Sequence, residues 1–352
     1  MKELVCPQGN LTSTKVEKRL EQLNAEIEAQ GIEVKKGRGH HKPEIVRERD
    51  ELALLYRRWM EYNRKKAICG ENRNSYSKTD TDATFMHMKD DHMRNSQLKP
   101  GYNVQFAVNS GFITGIGVFR NRTDFGTLIP FLTYLWHKHG KSYRDVVADS
   151  GYESLANYRW LFENGQTAFI KPANYESGKK RSSKEQVGRM ENMGYYEPDD
   201  CFICKNGRHL DLSFHYTSHA KDGTERKISI YRCEDCSDCP YRAACCKAKD
   251  SEKHKEIFVC WEFQNLRNNS YHNITTEEGK LLRCNRFIQA EGAFGQLKHN
   301  RNFKRFLTGG KVKVLAELLF LGLSQNIAHL LAKCNSGLQN LHLIQPKAYL
   351  NF

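Results

Sequence analysis

Residues 283–314 read RCNRFIQAEGAFGQLKHNRNFKRFLTGGKVKV, an apolar helical pattern that is followed by a basic arm. One apolar helical stripe is predicted by residues that recur at spacings of three, four and three: Phe287, Ala290, Phe294 and Leu297. Glu291 lies at the edge of this stripe. Lys298 follows it by seven residues, about two helical turns, so both side chains are expected to point the same way. On these residues alone, an amphipathic surface helix with a solvated charge pair is the alternative.

The charge of the chain favours a polyanionic partner. Its 352 residues include 55 Lys and Arg against 41 Asp and Glu, which gives a net charge of +14. Lys298 is followed by Arg301, Lys304 and Arg305, a run of cations that suits the phosphate backbone of DNA. A basic protein without a nucleic-acid partner is the alternative reading.

Targeting signals are not evident in the sequence. The first ten residues, MKELVCPQGN, lack the apolar core of a secretory signal. The apolar run near 314–332 is interrupted by Glu317, Gln325, Asn326 and His329, which predicts a buried helix that covers the sheet and not a membrane span. Twelve cysteines without a signal favour a reducing cytoplasmic compartment, with metal binding in place of disulfides.

The order of predicted elements indicates a mixed α/β fold. Two helices over 14–30 and 43–66 come first, and the second is expected to bury Val46, Leu52, Leu55, Trp59 and Tyr62. A strand over 75–84, a β-hairpin over 102–108 and 112–119, and alternating helices and strands to residue 170 follow. We therefore predict a helical N-terminal segment over 1–72 and an α/β domain over 73–352, with a Cys-rich β insertion at about 171–262.

Three carboxylates from distant segments are candidates for one metal site. Asp149 ends the strand Val146-Val147-Ala148, Asp80 lies in a strand-like stretch, and Glu291 belongs to the late helix. An Asp before Ser-Gly is also a common turn former. Hard oxygen ligands of this kind suit Mg²⁺, and two such ions about 3.5–4 Å apart can clamp the attacking and leaving oxygens at a phosphorus atom.

The cysteines form a second candidate site. Cys201-x2-Cys204 precedes Cys233-x2-Cys236-x2-Cys239 and Cys245, a pattern typical of zinc ribbons. The preferred structural Zn²⁺ ligands are Cys233, Cys236, Cys239 and Cys245, with Cys201 and Cys204 as competitors. An iron–sulfur cluster and unmetallated thiols are the alternatives.

Several blocks of the sequence together resemble DDE transposases of bacterial insertion sequences. These are SKTDTDATFMHMK at 77–89, PGYNVQFAV at 100–108, VVADSGYES at 146–154, and the stretch from 283 to 311. The resemblance implies a ribonuclease-H-like mixed sheet flanked by helices, with an insertion between the second and third acids. It also implies Mg²⁺-dependent DNA cleavage and strand transfer, with terminal inverted repeats and target DNA as partners and a homodimer in the active complex.

The resemblance assigns roles to single residues. The first acid falls on Asp80, with Asp82 as the alternative, because Thr81 stands where the family usually has Pro. The second and third acids fall on Asp149 and Glu291. Lys298 matches a phosphate-binding residue of the family, and the Arg of the family's helix signature falls on Arg283 or Arg286, one of which would hold a DNA phosphate.

Two departures from the family pattern suggest rival interpretations. Gly309-Gly310 replaces the usual Arg-Gly of the basic arm, and only about 75 residues precede Asp80 where the family usually has an end-recognition domain. A truncated, inactive remnant that only binds DNA is therefore the alternative function. A metal-dependent nuclease without strand transfer is a third interpretation.

Overall fold

The structure is a computed structural model. It describes residues 13–33, 42–70, 73–88, 95–248 and 253–337. The first ten residues, on which the absence of a secretory signal was inferred, lie outside these ranges. The chain divides into two compact units, Met1–Phe85 and Met86–Phe352, and each is described by itself.

The first unit is built on a helical hairpin of α1 (Ser13–Ala29) and α2 (Glu44–Cys69). Leu23, Ile27 and Val46 form its buried contact. The prediction of burial is confirmed for Val46 and was wrong for three later residues of α2, whose side chains are exposed by 45% (Leu55), 42% (Trp59) and 63% (Tyr62). The physical reason is length: α1 has 17 residues and α2 has 26, so α1 covers only part of α2.

The predicted strand over 75–84 is an irregular turn in the structure, and β1 (Thr84–His87) begins only at its end. Arg73 fixes this turn against the end of α2. Its guanidinium donates to the carbonyls of Ile68 and Cys69 at 2.7 and 2.8 Å, and to those of Asp82 and Ala83 at 3.1 and 3.3 Å. The backbone carbonyls of the turn are therefore satisfied by one side chain and not by a neighbouring strand.

Short strand pairs follow. β1 is hydrogen-bonded to β2 (Leu98–Gly101), and β3 (Asn103–Asn109) pairs antiparallel with β4 (Phe112–Phe119). The predicted hairpin is confirmed. Its turn needs a left-handed backbone at Gly111 (φ 84°), where a Cβ would also lie 2.3 Å from the His329 ring.

The central α/β layer follows. It contains α3 (Leu128–His139), β5 (Asp145–Ala148), α4 (Leu155–Glu163) and β6 (Thr167–Ile170), with β5 parallel to β6. Its core consists of Leu128, Phe131, Leu132, Leu135, Val146, Tyr158, Leu161 and Ile170. The mixed α/β class is confirmed. In the described residues β3–β4 and β5–β6 are separate hydrogen-bonded pairs, so the ribonuclease-H-like arrangement stays a prediction.

The Cys-rich segment forms its own five-stranded antiparallel sheet. Its elements are α5 (Tyr175–Lys179), α6 (Arg181–Lys184), β7 (Gly194–Tyr196), β8 (Cys201–Ile203), β9 (His209–His219), β10 (Glu225–Cys233), α7 (Arg242–Cys245) and β11 (Glu256–Val259). The strand order is β11-β10-β9-β8-β7. One face of the sheet buries Phe202, Leu210, Tyr231 and Cys233, so this segment has a hydrophobic core of its own.

A long helical run returns the chain to the central layer. It begins with α8 (Trp261–Thr275) and turns sharply into α9 (Glu277–Arg286). The run then continues through a π-helical segment, α10 and a second π-helical segment, which are Phe287–Glu291, Gly292–Gly295 and Gln296–Asn300. Ser270 on α8 accepts from the Ile170 amide and donates to its carbonyl, both at 2.9 Å, and so anchors the run to β6.

The last described helix, α11 (Lys311–Ser336), covers the β3–β4 hairpin with one face. Val314 and Leu318 are buried, and the Asn326 side chain bonds both the amide and the carbonyl of Ile113 at 2.8 Å. The prediction of a buried helix holds for this face only, because the opposite face exposes an apolar stripe. Its members are Val312, Leu319, Phe320, Leu323, Ile327, Leu330 and Leu331.

By length and composition α11 is the described helix that would suffice to cross a membrane, and 22% of its most apolar window is buried. A single helix of this kind is weak evidence for a membrane span, because core helices of soluble proteins satisfy the same criterion.

Candidate active site

Asp149 lies directly after β5, where the chain leaves the central layer. Its carboxylate caps the short 3₁₀ turn Ser150–Tyr152, with Oδ1 accepting from the Gly151 amide at 2.9 Å. The other oxygen, Oδ2, accepts from Arg286 at 3.0 Å. The side chain is 40% exposed, so Asp149 serves as a turn former and is still accessible to a ligand.

Arg286, the last residue of α9, brings the second and third predicted acids together. Its Nη2 donates to Asp149, and its Nη1 lies 3.4 Å from Glu291 Oε1. The Glu291 side chain is 53% exposed. Asp149 and Glu291 are therefore both paired with the Arg286 guanidinium. Of the two candidate arginines, Arg286 is the one that contacts these acids.

Arg283, the other candidate, lies one helical turn earlier and faces a different group. Its guanidinium is 5.4 Å from the centroid of the Tyr175 ring, a cation–π arrangement. It also lowers the pKa of the Tyr175 hydroxyl against the opposing effect of burial. Arg283 thus connects α9 to α5 in the structure.

The two π-helical segments explain where the predicted apolar stripe failed. A π-helix has a longer period than the 3.6 residues per turn on which the prediction rested. Phe287, at the start of the first segment, is accordingly 60% exposed and not part of the core. Phe294 and Leu297 do pack inward: Phe294 stacks on Phe106 with ring centroids 4.3 Å apart, and Leu297 is 2% exposed. The same change of period removes the basis for predicting a common direction for Glu291 and Lys298.

A further carboxylate, which the sequence reasoning missed, lies beside Asp149. Asp124, in the loop between β4 and α3, accepts from Asn103 Nδ2 at 2.7 Å and from Gln105 Nε2 at 3.0 Å. A Cβ added at Gly151 would lie 3.0 Å from Asp124 Oδ2 and 3.1 Å from Asp149 Oδ1. The two carboxylates therefore flank one glycine, and its lack of a side chain leaves space between them.

The signal for Asp124 was a polar loop directly after a strand, Asn121 to Asp124, which is the same kind of position that drew attention to Asp149. Asp124 lies outside the four sequence blocks that carry the family resemblance.

Tyr152 and Gln105 form a chain of hydrogen bonds that ends at Asp124. The Tyr152 hydroxyl donates to Gln105 Oε1 in a close contact, and the Gln105 amide in turn donates to Asp124. Burial, together with the charges of Asp124 and Asp149, raises the pKa of the Tyr152 hydroxyl far above its usual range. Tyr152 therefore stays protonated and acts as a hydrogen-bond donor.

Glu153, the next residue, connects this loop to α8 and to Ala173. Its side chain is 5% exposed and pairs with Arg267 of α8 at 2.8 Å, and it also accepts from the Ala173 amide at 2.7 Å. A buried charge is stable only with such partners, so this pair ties the loop after Asp149 to the helical run that carries Glu291.

The remaining predicted acid, Asp80, belongs to the first unit. Its Oδ1 accepts from the Asp82 amide at 3.1 Å, and its carbonyl accepts from the Ala83 amide at 3.0 Å. This is an Asx turn, which accounts for the Asp at that position in structural terms. The convergence of Asp80 with Asp149 and Glu291 stays a prediction, and so does the choice between Asp80 and Asp82.

The basic arm is exposed next to the N-terminal half of α11. Lys298, Lys304 and Arg305 are exposed, and Arg301 donates to the hydroxyl and carbonyl of Ser324. An open groove runs between the arm and α11, and it is lined by Arg301, Asn302, Phe303, Lys304, Arg305, Leu307, Glu317, Phe320 and Leu321. Glu317 holds the arm in place by accepting from the amides of Leu307 and Thr308.

Three of the four preferred zinc ligands, Cys233, Cys236 and Cys245, belong to the hydrophobic core beside the Cys-rich sheet. Burial, followed by contact with Cys236, raises the pKa of Cys233 to about 12. Cys204 adds to the shifts of both Cys233 and Cys245, so this competitor belongs to the same group as the preferred ligands. Among the described residues, no three of these thiols have sulfur atoms within 4.8 Å of one another. Zinc at Cys233, Cys236, Cys239 and Cys245 therefore remains a prediction.

Comparison with known proteins gives one family match. Residues 203–331 match the family model described as Transposase DDE domain. The comparisons with curated proteins and with solved structures gave no match. The matched segment begins at Ile203 in the Cys-rich sheet and includes Arg286 and Glu291, whereas Asp124 and Asp149 precede it. Over residues 203–331 this chain is therefore similar to the transposase DDE domain, which supports its recognition as a DDE transposase.

Proposed function

We propose that this protein is a DNA transposase that cuts the ends of a mobile element and joins them to target DNA. The observation that carries the proposal is the arrangement around Arg286, which holds Asp149 and Glu291 on one guanidinium while Asp124 lies beside Asp149. Residues from three separated parts of the chain thus supply carboxylates to one solvent-accessible place, as metal-dependent phosphoryl transfer requires.

The donor set fits a divalent cation of the Mg²⁺ type. Carboxylate oxygens are the ligands that Mg²⁺ prefers, and Asp149 and Glu291 are both exposed enough to reach it. When bound, two such ions would lower the pKa of a water molecule and neutralise charge on a phosphate. In the proposal Asp149 and Glu291 hold these ions with Asp80, and Asp124 is a further candidate ligand.

The chain's own residues would position the DNA. Arg286 is a cation at the acids and can move onto a phosphate once ions neutralise the carboxylates. Lys298, Lys304 and Arg305 would contact the backbone farther along, with Arg283 and Arg301 in support. The ribonuclease-H-like core, the terminal inverted repeats as substrate, the homodimeric active complex and the cytoplasmic location are part of the same proposal.

The test is cleavage and joining of DNA that carries the element's own flanking inverted repeats. Asp149→Asn and Glu291→Gln should each reduce Mg²⁺-dependent cleavage at least about 100-fold, the scale on which lost transition-state contacts act. Asp80→Asn should do the same, and Asp82→Asn should not. Asp145→Asn, which changes a carboxylate on the same strand that is paired with Arg144, is the matched control.

A gel-shift measurement on the same DNA separates the rival functions. A remnant that only binds DNA would shift the DNA and never cut it, in the wild type as in the variants. A nuclease without strand transfer would cut the ends and leave the target unjoined. Cleavage by Asp149→Asn at the wild-type rate would refute the assignment of the site.

A further inference from the structure

A second group of metal-ligating side chains lies within the Cys-rich sheet, away from the candidate active site. Donor atoms of Cys201, His209 and Asp211 lie within 4.8 Å of one another. The register of the sheet fixes this group, because Cys201 on β8 pairs directly with Asp211 on β9, and His209 precedes Asp211 by two residues. Side chains two apart on a strand share a face, so all three side chains start from one side of the sheet.

This group is separate from the buried thiols on the other side. Phe202 and Leu210 alternate with the three residues and point into the hydrophobic core. Cys233 pairs with Leu210 across β9 and β10, and therefore belongs to the core face. The sheet thus carries two distinct sets of potential metal ligands, one on each side.

The distance between the cysteine and histidine donor atoms matches tetrahedral zinc. Cys201 Sγ lies 3.7 Å from His209 Nδ1. With Zn–S about 2.3 Å and Zn–N about 2.0–2.1 Å, a tetrahedral angle places the two ligand atoms roughly 3.6 Å apart. An ion can therefore be placed between them without a shift of the strands.

The residues around Cys201, His209 and Asp211 leave these side chains accessible to a metal ion. Arg232, the cross-strand neighbour of Asp211 on β10, is held by Glu256 at 2.6 Å and has its own carboxylate partner. Cys201 is fully buried, while His209 and Asp211 are exposed, so the site is open to solvent on one side only. A thiolate, an imidazole and a carboxylate together favour Zn²⁺ over the harder Mg²⁺.

We propose that Cys201, His209 and Asp211 bind one Zn²⁺ ion, with a water molecule in the fourth position. On binding, the Cys201 thiol releases its proton to the solvent and the sulfur bonds the metal, while the imidazole binds in its neutral form. The ion clamps β8 to β9 at the start of the family-matched segment. This site is independent of the acids at Arg286 and of the predicted zinc at Cys233.

The test measures zinc binding by the full-length, reduced protein without DNA, so the result does not depend on transposition. After metal removal and titration with Zn²⁺, His209→Ala and Asp211→Ala should each bind one equivalent less than the wild type. Their affinity at this site should fall more than about 100-fold, because even changes to groups behind metal ligands cost roughly 10–100-fold. Cys236→Ser should leave this equivalent in place.

His215→Ala is the matched control, because His215 is an exposed histidine on the same strand that bonds Ser229. It should bind as much zinc as the wild type. Thermal melting in a chelator checks folding: His209→Ala should melt as the metal-free wild type does, and on adding zinc it should gain less stability than the wild type and His215→Ala do. Equal zinc content in His209→Ala and wild type would overturn the proposal and leave a simple thiol–imidazole contact.

Discussion

At the scale of single residues, Arg286 decides the charge balance of the candidate active site. Its guanidinium stands between Asp149 and Glu291 and offsets a repulsion that the two carboxylates would otherwise exert on each other. A divalent cation bound at the proposed site would therefore compete with Arg286 for the same oxygen atoms.

Arg286→Gln should accordingly strengthen Mn²⁺ or Mg²⁺ binding in the absence of DNA while it weakens cleavage. We expect a gain in ion affinity of roughly 2- to 5-fold, which corresponds to a partly exposed ion pair of about 1 kcal/mol or less. Isothermal titration calorimetry measures the affinity, with Arg283→Gln as the control one turn away. Unchanged ion affinity would show that Arg286 does not compete with the ion.

Asp124 is the second residue with a specific expectation. Asp124→Asn keeps an oxygen to accept from Asn103 and Gln105, so the thermal stability should hardly change. If the carboxylate acts at the site, cleavage should fall at least about 100-fold, on the scale of one lost transition-state contact. Retention of full activity by a stably folded Asp124→Asn protein would assign Asp124 to a structural role.

At the scale of secondary-structure elements, the sharp turn between α8 and α9 sets the direction of the helical run that carries Arg286 and Glu291. Gly279 makes this corner possible, because a Cβ there would lie 1.9 Å from the Asn273 carbonyl oxygen and 2.8 Å from the Ile274 Cα. These neighbours are backbone atoms, so the two helices would have to move apart to admit a methyl group.

Gly279→Ala should therefore destabilise the fold by about 1–3 kcal/mol, the usual cost of overpacking, and should reduce cleavage without touching the acids. Gly292→Ala is the matched control, since nothing lies within 4 Å of its Cβ position and the residue is helical and exposed. It should stabilise the protein by roughly 0.5–1 kcal/mol. Denaturant unfolding of the two variants compares these effects, and a stable Gly279→Ala protein would contradict the geometry of the corner.

Several secondary-structure elements could be predicted from the sequence, and others could not. The β3–β4 hairpin was predictable because Asn109-Ser110-Gly111 separates two apolar runs, and β5 and β6 because they are short, apolar and bounded by turns. Asp149 followed from its place after β5. The exposed position of Phe287 was not predictable, because π-helical turns change the period without a residue pattern that announces them. Asp124 needed the folded structure, because distant parts of the chain bring it next to Asp149 on either side of Gly151.

At the scale of the whole molecule, the net charge of +14 implies that DNA binding depends strongly on salt. Each phosphate contact releases condensed counterions, so affinity falls linearly with salt on a logarithmic scale.

Lys304→Ala and Arg305→Ala should each reduce that slope by about 1, since both side chains are exposed on the basic arm. Lys221→Ala, at the exposed tip of the β9–β10 hairpin, provides a control cation outside the arm. Fluorescence anisotropy over a range of NaCl concentrations measures the slope. An unaltered salt slope in both variants would show that the basic arm does not contact the DNA backbone.

The uncovered stripe on α11 gives the protein a second, opposite response to ions. Phe320 is 75% exposed and Leu323 59%, within a helical stretch whose charged residues lie towards its ends. Strongly hydrated anions such as sulfate favour association of apolar surfaces, whereas chloride loosens contacts with polyanions. Stripping nucleic acid from this protein during purification is therefore better done with chloride, because sulfate would drive exposed leucines of separate molecules together.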